Sequence, residues 1–267
     1  MISAEIREAI KKFRLIDDVF FAACFDNNPQ DVEYILRIIL EIPALKVFEV
    51  QTQKSVENIY GRSVRFDVFA TDDTGKLYNV EVQRADSGAV PTRARYNSVM
   101  IDYHTLKKQA EFNELPETFV IFITENDVLK GGEQIYHIDR VIKETGKNFG
   151  DGTHIIYVNG SYRDDSGSAL GDLIHDFFCE SPSEMRHKKL AERVAFIKSN
   201  EDEVRKMSPV LEEMRNKGMI KGKIEGKREN LLENIRSLME TLNLTAKQAM
   251  DALKVPSDKQ AELLTLI

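Results

Sequence analysis

Two segments near the start of the chain place apolar side chains on one face of a helix and charged side chains on the other. They span residues 2–16 and about 30–42, and both repeat with the helical period of about 3.6 residues. Pro43 ends the second segment. The apolar positions are Ile2, Ile6, Ala9, Ile10 and Phe13 in the first and Val32, Ile35, Leu36 and Ile39 in the second. The pattern therefore predicts two amphipathic helices.

After Pro43 the apolar positions alternate instead. The segments 45–53, 63–71 and 76–84 are rich in Val, Phe and Tyr, which is typical of strands. A helical pattern returns from Pro91 to about Asn113, with its apolar stripe at Tyr96, Val99, Met100, Tyr103 and Leu106. We therefore expect three consecutive strands followed by a helix.

The segment 118–124 (TFVIFIT) is continuously apolar, which suits a strand buried on both faces. Weaker strand patterns follow at about 135–138 and 154–158, and the pattern is helical from about Ala169 to the end. The predicted order is helices, three strands, a helix, further strands and a helical tail.

The last third of the chain differs in composition. Met214–Arg228 holds six basic residues and one acid, and a glycine falls at every fourth position from Gly218 to Gly226. Each glycine destabilises a helix by about 1 kcal/mol relative to alanine. We therefore predict a mobile or partner-stabilised connector, with a domain boundary near residue 205 that separates a domain over 1–205 from a helical tail over 206–267.

Composition narrows the class of protein. With 42% hydrophobic residues the chain is too apolar to be disordered, and Arg37 interrupts its longest apolar run, so no membrane span is expected. Charged residues near the start argue against export, and Cys24 and Cys179 lie in apolar runs, which indicates buried thiols in a reducing cytoplasm. The net charge of −7 argues against a basic nucleic-acid coat protein. This net charge is compatible with an enzyme that binds nucleic acid through a local basic patch and a metal ion.

The segment 63–84 has the pattern of a β-hairpin with the turn DDTG at 72–75. If the loop has three residues and Gly75 is left-handed, Asp67 lies directly opposite Glu81. A four-residue loop would send the two acids to opposite faces. We favour the first register because it separates a polar face from an apolar one. The polar face then holds Arg65, Asp67, Asn79, Glu81 and Gln83.

Two opposed carboxylates on neighbouring strands repel each other, and a divalent cation removes that conflict. Mg²⁺ prefers oxygen ligands, so Asp67, Glu81 and the backbone carbonyl of Val82 would supply half of its shell. The alternative is a solvated hairpin face on which Arg65 and Arg84 separate the acids. From the spacing alone this alternative is favoured, since acids on exposed strands are common.

A longer set of motifs, found in a fixed order along the chain, favours the metal site over the solvated hairpin face. The pattern D-x13-E-x-Q resembles the PD-(D/E)XK nuclease superfamily and, more narrowly, the recombination-promoting nuclease and putative transposase family of bacteria. The resemblance covers most of the chain. It extends over DDVFFAACF (17–25), ILRIIL (35–40), residues 61–86, RARYNSVMID (93–102), residues 115–132 and 135–160, and the glycine-spaced tract after residue 217.

The resemblance implies an α/β (α+β) fold with an αβββαβ core and a helical C-terminal extension. It implies Mg²⁺- or Mn²⁺-dependent hydrolysis of DNA phosphodiesters, with Asp67, Glu81 and the Val82 carbonyl as metal ligands. Gln83 takes the place of the superfamily lysine and can only orient groups by hydrogen bonds, so a low rate is expected. An acid near the first helices often completes such sites, and Glu33 and Asp18 are both candidates.

Several basic residues are candidates for contact with the DNA backbone. Arg93 and Arg95 begin the helix after Glu81, and together with Tyr96 they could equally form a structural cluster. In the tail the candidates are Lys221, Lys223, Lys227 and Arg228. The alternative for the tail, which we favour slightly, is a solvated helical connector that brings the terminal helices of two chains together as a homodimer.

The remaining motifs predict no further chemistry. The five histidines lack metal-ligand spacing, and T-G-K at 145–147 lacks P-loop spacing, so no nucleotide cofactor is expected. Residues 244–255 could be half of a helix-turn-helix, although a packing element is favoured. Two other functions stay open. One is a catalytically silent nuclease fold that binds DNA or protein, which Gln83, Ala22 in place of a common lysine and the net acidity favour. The other is an RNA-directed nuclease.

Overall fold

The computed structural model describes residues 2, 4–164, 166–256, 260, 263–264 and 266–267, without the side chains at 215, 217, 218, 220–224 and 227. The chain packs as two compact units, Met1–Ser208 and Pro209–Ile267. In the described residues, none of the helices has the length and apolar content needed to cross a membrane.

The first unit is built on a six-stranded mixed sheet in the order β1-β2-β3-β4-β6-β5. The chain runs antiparallel from β1 to β3, whereas β3, β4 and β6 are parallel and β5 is antiparallel to β6. The strands are β1 (Val47–Val56), β2 (Val64–Asp72), β3 (Leu77–Gln83), β4 (Thr118–Thr124), β5 (Ile135–Ile138) and β6 (Thr153–Asn159). Every strand that the pattern predicts is confirmed.

The helices of the first unit precede, connect and follow these strands. They are α1 (Ala4–Lys11), α2 (Asp18–Phe25), α3 (Pro29–Leu40), α4 (Pro91–Thr105), α5 (Ala169–Phe177), α6 (Lys188–Ser199) and the start of α7 (Glu201–Leu242). The helix α2 contacts β1, β2 and β3, whereas α4 packs on β4 and β6. With α4 as the crossover from β3 to its parallel neighbour β4, the mixed α/β fold is confirmed.

The single helix predicted over residues 2–16 is wrong. α1 ends at Lys11, and α2 begins at Asp18. Between them the Arg14 N–H donates to the Asp17 carboxylate at 2.8 Å, and the Ile16 N–H donates to the Phe177 carbonyl at 3.1 Å. These two bonds offer the backbone partners outside a helix, so the chain turns here although it has neither Gly nor Pro.

The buried face of α4 also differs from the predicted stripe. Val99 and Tyr103 are more than half exposed, whereas Asn97 and Ser98 are buried with Ala94, Met100 and Ile101. The helix ends at Thr105 rather than near Asn113. Its inward face is therefore partly polar, and this polar part meets the hairpin.

The hairpin register is confirmed. The Asp72 N–H donates to the Lys76 carbonyl at 3.1 Å, Gly75 has φ +88°, and the ladder pairs Val68 with Val80. A positive φ is readily adopted by glycine, which fixes the three-residue loop. One step beyond Val68–Val80 in this register, Asp67 lies opposite Glu81.

The second unit is helical. The glycine-spaced tract is helical within α7, and its role as a mobile or partner-stabilised connector stays a prediction. The short helix α8 (Ala246–Ala252) packs on the end of α7 in a cluster that includes Ile235, Ala249 and Met250. This packing agrees with the favoured interpretation of residues 244–255 as a packing element.

Candidate active site

Asp67 and Glu81 meet where the β2–β3 ladder ends. The Asp67 N–H donates to Glu81 Oε1 at 3.4 Å, and the Val82 N–H donates to Asp67 Oδ2 at 3.1 Å. Each of the two side chains thus accepts a hydrogen bond from a backbone N–H of the facing strand. Asp67 is 6% exposed and Glu81 is fully buried, so the solvated hairpin face considered from the sequence is wrong.

The electrostatics of this pair are unfavourable to two negative charges. Burial, followed by the charge of Glu81, raises the pKa of Asp67 to about 8, and Asp18 adds to the shift. Burial also raises the pKa of Glu81, although hydrogen bonds from Asn79 and the Arg93 guanidinium oppose the shift. Because both carboxyls are costly to ionise together, the pair favours a bound proton or a bound cation.

Helix α4 fixes the position of Glu81 through two contacts. Arg93 Nη2 donates to Glu81 Oε2 at 2.9 Å, and Arg93 Nη1 donates to the Gly88 carbonyl at 2.8 Å. Asn97 Nδ2 donates to Asn79 Oδ1 at 3.1 Å, and Asn79 Nδ2 donates to Glu81 Oε1 at 2.8 Å. Both Glu81 oxygens are therefore held by side chains that are positioned by α4.

Asp67 borders a cleft of about 750 Å³, and Glu81 is buried beside it. Among its lining residues are Asp18, Arg65, Asp67, Gln83 and Arg93. Open solvent-facing volume beside buried carboxylates gives a phosphate group a route to them. The cleft thus brings together Asp67 and Gln83, both predicted from the sequence, with the cationic side chains of Arg62, Arg65 and Arg93.

The structure separates the two candidates for a further acid. Asp18 begins α2 and lines the cleft, where its charge raises the pKa of Asp67. Glu33 accepts a hydrogen bond from the Val47 N–H at 3.1 Å and pairs with Arg37 at 2.7 Å. Glu33 therefore anchors α3 to the start of β1, and Asp18 is the acid placed near the pair.

Gln83 ends β3 at the cleft and packs against the turn that follows. A Cβ at Gly88 would overlap the Gln83 side-chain oxygen. The absence of a side chain at Gly88 therefore leaves space for the Gln83 amide, and the Gly88 carbonyl accepts from Arg93. Gly88 thus helps to position the side chains of Gln83 and Arg93, which both line the cleft.

The predicted DNA-contacting residues are placed differently from one another. Arg93 is engaged with Glu81, whereas Arg95 is exposed on α4 and does not line the cleft. Arg228 is exposed in the second unit, and Lys221, Lys223 and Lys227 lie outside the residues whose side chains are described.

Sequence reasoning missed part of the site. Arg62 lines the cleft, and Asn79 and Asn97 support Glu81. The sequence placed Arg65 and Asn79 on the polar face with the acids, but it assigned neither of them a role in binding or in supporting Glu81. One signal was available: Arg65 alternates with Asp67 along β2, and Asn79 alternates with Glu81 along β3, so each pair shares a strand face.

The donor set fits a divalent cation. Asp67 and Glu81 offer hard carboxylate oxygens, which Mg²⁺ and Mn²⁺ prefer. The raised pKa values show that the pair lacks sufficient compensating positive charge, and Arg93 alone does not supply it. A cation bound between the acids would offset their repulsion.

A second group of potential ligands lies on α5 and just beyond it. His175, Asp176 and Cys179 offer ligand atoms within 4.8 Å of one another. Asp176 is fully buried, yet its oxygens accept from the backbone N–H groups of Arg186 and His187 at 2.7 and 2.8 Å. His187 Nδ1 lies 3.0 Å from the same carboxylate. This acid is therefore already committed to holding the start of α6.

Comparison with known proteins bears on the hairpin site. Residues 33–162 match the family model described as PD-(D/E)XK nuclease family transposase. The matched range contains all six strands and α4, and hence Asp67, Glu81 and Gln83. No curated protein and no solved structure matches the chain significantly.

Proposed function

We propose that this chain, which belongs over residues 33–162 to the PD-(D/E)XK nuclease family transposases, is a divalent-metal-dependent DNA endonuclease. The match supports a nuclease- or transposase-type function, and a nuclease family implies DNA as the substrate. The observation that carries the proposal is the pair of adjacent buried carboxylates, of which Asp67 borders an open cleft and has its pKa raised to about 8.

The proposed metal is Mg²⁺ or Mn²⁺, in line with the general use of divalent metals by PD-(D/E)XK nucleases. Asp67, Glu81 and the Val82 carbonyl would hold it, with Asp18 as the additional acid. When bound, the cation supplies a water of lowered pKa and neutralises charge on the scissile phosphate. A carboxylate pair that is costly to ionise without a cation is suited to this role.

The remaining residues of the cleft position the substrate in this proposal. Arg62 and Arg65 attract the phosphate backbone without reading sequence. Gln83 orients the attacking water or a phosphate oxygen by hydrogen bonds, because an amide carries no charge. Arg93, held between Glu81 and Gly88, contributes the fixed positive charge that a lysine at position 83 would have carried.

A catalytically silent DNA-binding or protein-interaction module is the second candidate. Its specific support is Gln83, together with the ion pair that already occupies Glu81 at 2.9 Å. RNA as the substrate is a further alternative, since the proposed chemistry acts on the phosphate and does not depend on the sugar. We also propose that the protein is located in the cytoplasm of a bacterium and that it forms a homodimer through its C-terminal helices.

The test is cleavage of supercoiled plasmid by the pure protein with Mg²⁺, with Mn²⁺ and with EDTA. We expect metal-dependent nicking by the wild type and a loss on the order of 10³-fold in Asp67→Asn and Glu81→Gln. Both variants should stay folded, because each change relieves like-charge repulsion. Asp73→Asn is the matched control, since Asp73 is an exposed acid of the same hairpin.

Cleavage that persists in both variants would place the activity elsewhere or in a contaminant. A wild type that binds DNA but never cuts it would favour the silent module. Parallel reactions with single-stranded RNA decide between the two nucleic acids.

A further inference from the structure

The loop of residues 57–63, which joins β1 to β2, presents an apolar tip to solvent. Ile59 is 79% exposed and Tyr60 is 93% exposed. Large apolar side chains so fully exposed and adjacent in sequence form a surface that favours an interaction. The tip is therefore a candidate contact for a ligand.

The base of this loop is held firmly although its tip protrudes. The Tyr96 hydroxyl donates to the Arg62 carbonyl at 2.6 Å and accepts from Asn58 Nδ2 at 3.0 Å. His104 Nε2 lies 2.7 Å from the Glu57 carbonyl, so a second residue of α4 contacts the loop.

Asn58 orders the inside of the loop as well. Its N–H donates to the Ser63 hydroxyl at 3.1 Å, and its side-chain oxygen accepts from the Tyr60 N–H at 3.0 Å. The backbone that carries Tyr60 is thus positioned before any ligand arrives. A positioned aromatic side chain loses less conformational freedom on binding than one on a loose loop.

The loop continues directly into the cleft. Arg62, Ser63 and Arg65 follow Tyr60 within five positions and line the same cleft as Asp67. A nucleic acid whose backbone contacts these arginines would pass beside the tip. The positive charge at the base of the loop and the continuity with the acid pair favour a nucleic-acid strand over an apolar protein surface.

We propose that Tyr60, assisted by Ile59, contacts an unpaired or unstacked nucleobase of the strand bound in the cleft. This inference rests on the proposed function, because it assumes that the cleft binds nucleic acid. Aromatic side chains stack on the face of any base, and apolar side chains can wedge between base steps. The tip therefore directs the protein toward distorted or single-stranded sites and not toward a particular sequence.

The experiment uses a duplex oligonucleotide with a central unpaired bubble that carries the fluorescent base 2-aminopurine, in EDTA so that the substrate stays intact. A fully paired duplex of the same length is the comparison. We expect the wild type to bind the bubble more tightly than the duplex and to change the 2-aminopurine fluorescence. Tyr60→Ala should lose that change and bind the bubble about 5- to 100-fold more weakly.

Two further variants separate stacking from other effects. Tyr60→Trp should retain the fluorescence change, because tryptophan also presents an aromatic face. Phe48→Ala is the matched control, since Phe48 is 77% exposed near the opposite end of β1, and its binding should equal that of the wild type. The mass of each variant is measured by sedimentation.

The inference is overturned if Tyr60→Ala binds the bubble and alters its fluorescence as the wild type does. It is also overturned if Tyr60→Ala changes the oligomeric state, since the tip would then contact a second copy of the chain. A wild type that alters 2-aminopurine fluorescence through Tyr60 but leaves plasmid uncut with Mg²⁺ supports the base contact and refutes the nuclease. A wild type that cuts plasmid while Tyr60→Ala binds normally refutes the base contact alone.

Discussion

Among the buried carboxylates of the first unit, Asp176 and the Asp67–Glu81 pair lie in opposite environments. Burial alone would raise the pKa of Asp176, but hydrogen bonds from His187, from two backbone N–H groups and from His175 hold it below its usual value. At Asp67 and Glu81 burial prevails, and both pKa values are raised. Asp176 is thus stabilised as an anion by the fold, whereas the hairpin pair is not.

The difference shows that burial of an acid does not by itself indicate a functional site. A buried carboxylate with several donors stabilises the structure, because its charge is compensated where it lies. A buried pair with raised pKa values lowers stability unless a proton or a cation binds to it. Such a pair beside an open cleft is therefore a candidate functional site. The direction of the pKa shift therefore distinguishes Asp176 from the hairpin pair.

The largest expected effect on the free energy of unfolding comes from substituting Asp176, the structural acid. Asp176→Asn should lower the free energy of unfolding by about 3 kcal/mol, because an amide oxygen replaces a charged acceptor and its NH₂ group faces backbone donors. Asp67→Asn, the same chemical change at the hairpin, should leave that free energy unchanged or raise it. Urea unfolding of both variants in EDTA makes the comparison. An equal loss in the two would remove the distinction between the sites.

The pH dependence of stability should differ in sign between the two places. Between about pH 4 and about 8 folded Asp67 holds a proton that the unfolded chain has lost, so unfolding releases a proton and stability falls as the pH rises. Because one pKa unit corresponds to about 1.4 kcal/mol, we expect a loss of several kcal/mol across this range in EDTA. Asp176, with its lowered pKa, contributes stability that is present above about pH 4 and is lost as the pH falls through its folded pKa.

Urea titrations at several pH values provide the measurement. Asp67→Asn should flatten the fall toward pH 8, and so should a saturating divalent cation in the wild type. A wild-type profile that rises between about pH 5 and 8 would show that the hairpin carboxylates are compensated after all.

The smallest expected effect concerns the space that Gly88 leaves for the Gln83 side chain. Gly88→Ala places a methyl group where the Gln83 side-chain oxygen lies, and a flexible side chain moves aside at little cost. We expect a fall in the rate of DNA cleavage of about tenfold with almost unchanged stability, because the displaced amide no longer orients the reacting groups. Ala85→Ser, in the same segment but outside the cleft lining, is the control. Equal rates in the two variants would show that the position of Gln83 does not matter.

The sequence was sufficient for the parts of the fold that are specified locally. The turn at 72–75 carries the glycine that its backbone requires, so the opposition of Asp67 and Glu81 followed from the register. The continuously apolar β4 was likewise recognisable. Periodicity and turn chemistry are properties of short segments, and they can be predicted without knowledge of the tertiary structure.

The errors arose where a distant segment decides the outcome. α4 buries Asn97 and leaves Tyr103 exposed because the inward face of this helix must meet the polar Asn79. The break after Lys11 depends on the Phe177 carbonyl, more than 160 positions later in the chain. Asp18 and Glu33 could not be told apart for the same reason, since the cleft that Asp18 lines exists only after α2 packs on the sheet.

The origin of the acid pair from one hairpin has a consequence for the order of events in folding. Asp67 and Glu81 are 14 residues apart, whereas the Arg93 charge arrives only when α4 docks. Local contacts form earlier than distant ones. The repulsion between the carboxylates therefore falls on the nascent hairpin, and a divalent ion that bridges them should accelerate folding as well as slow unfolding. A cation bound there, as the proposed function requires, would then stabilise the hairpin before α4 docks.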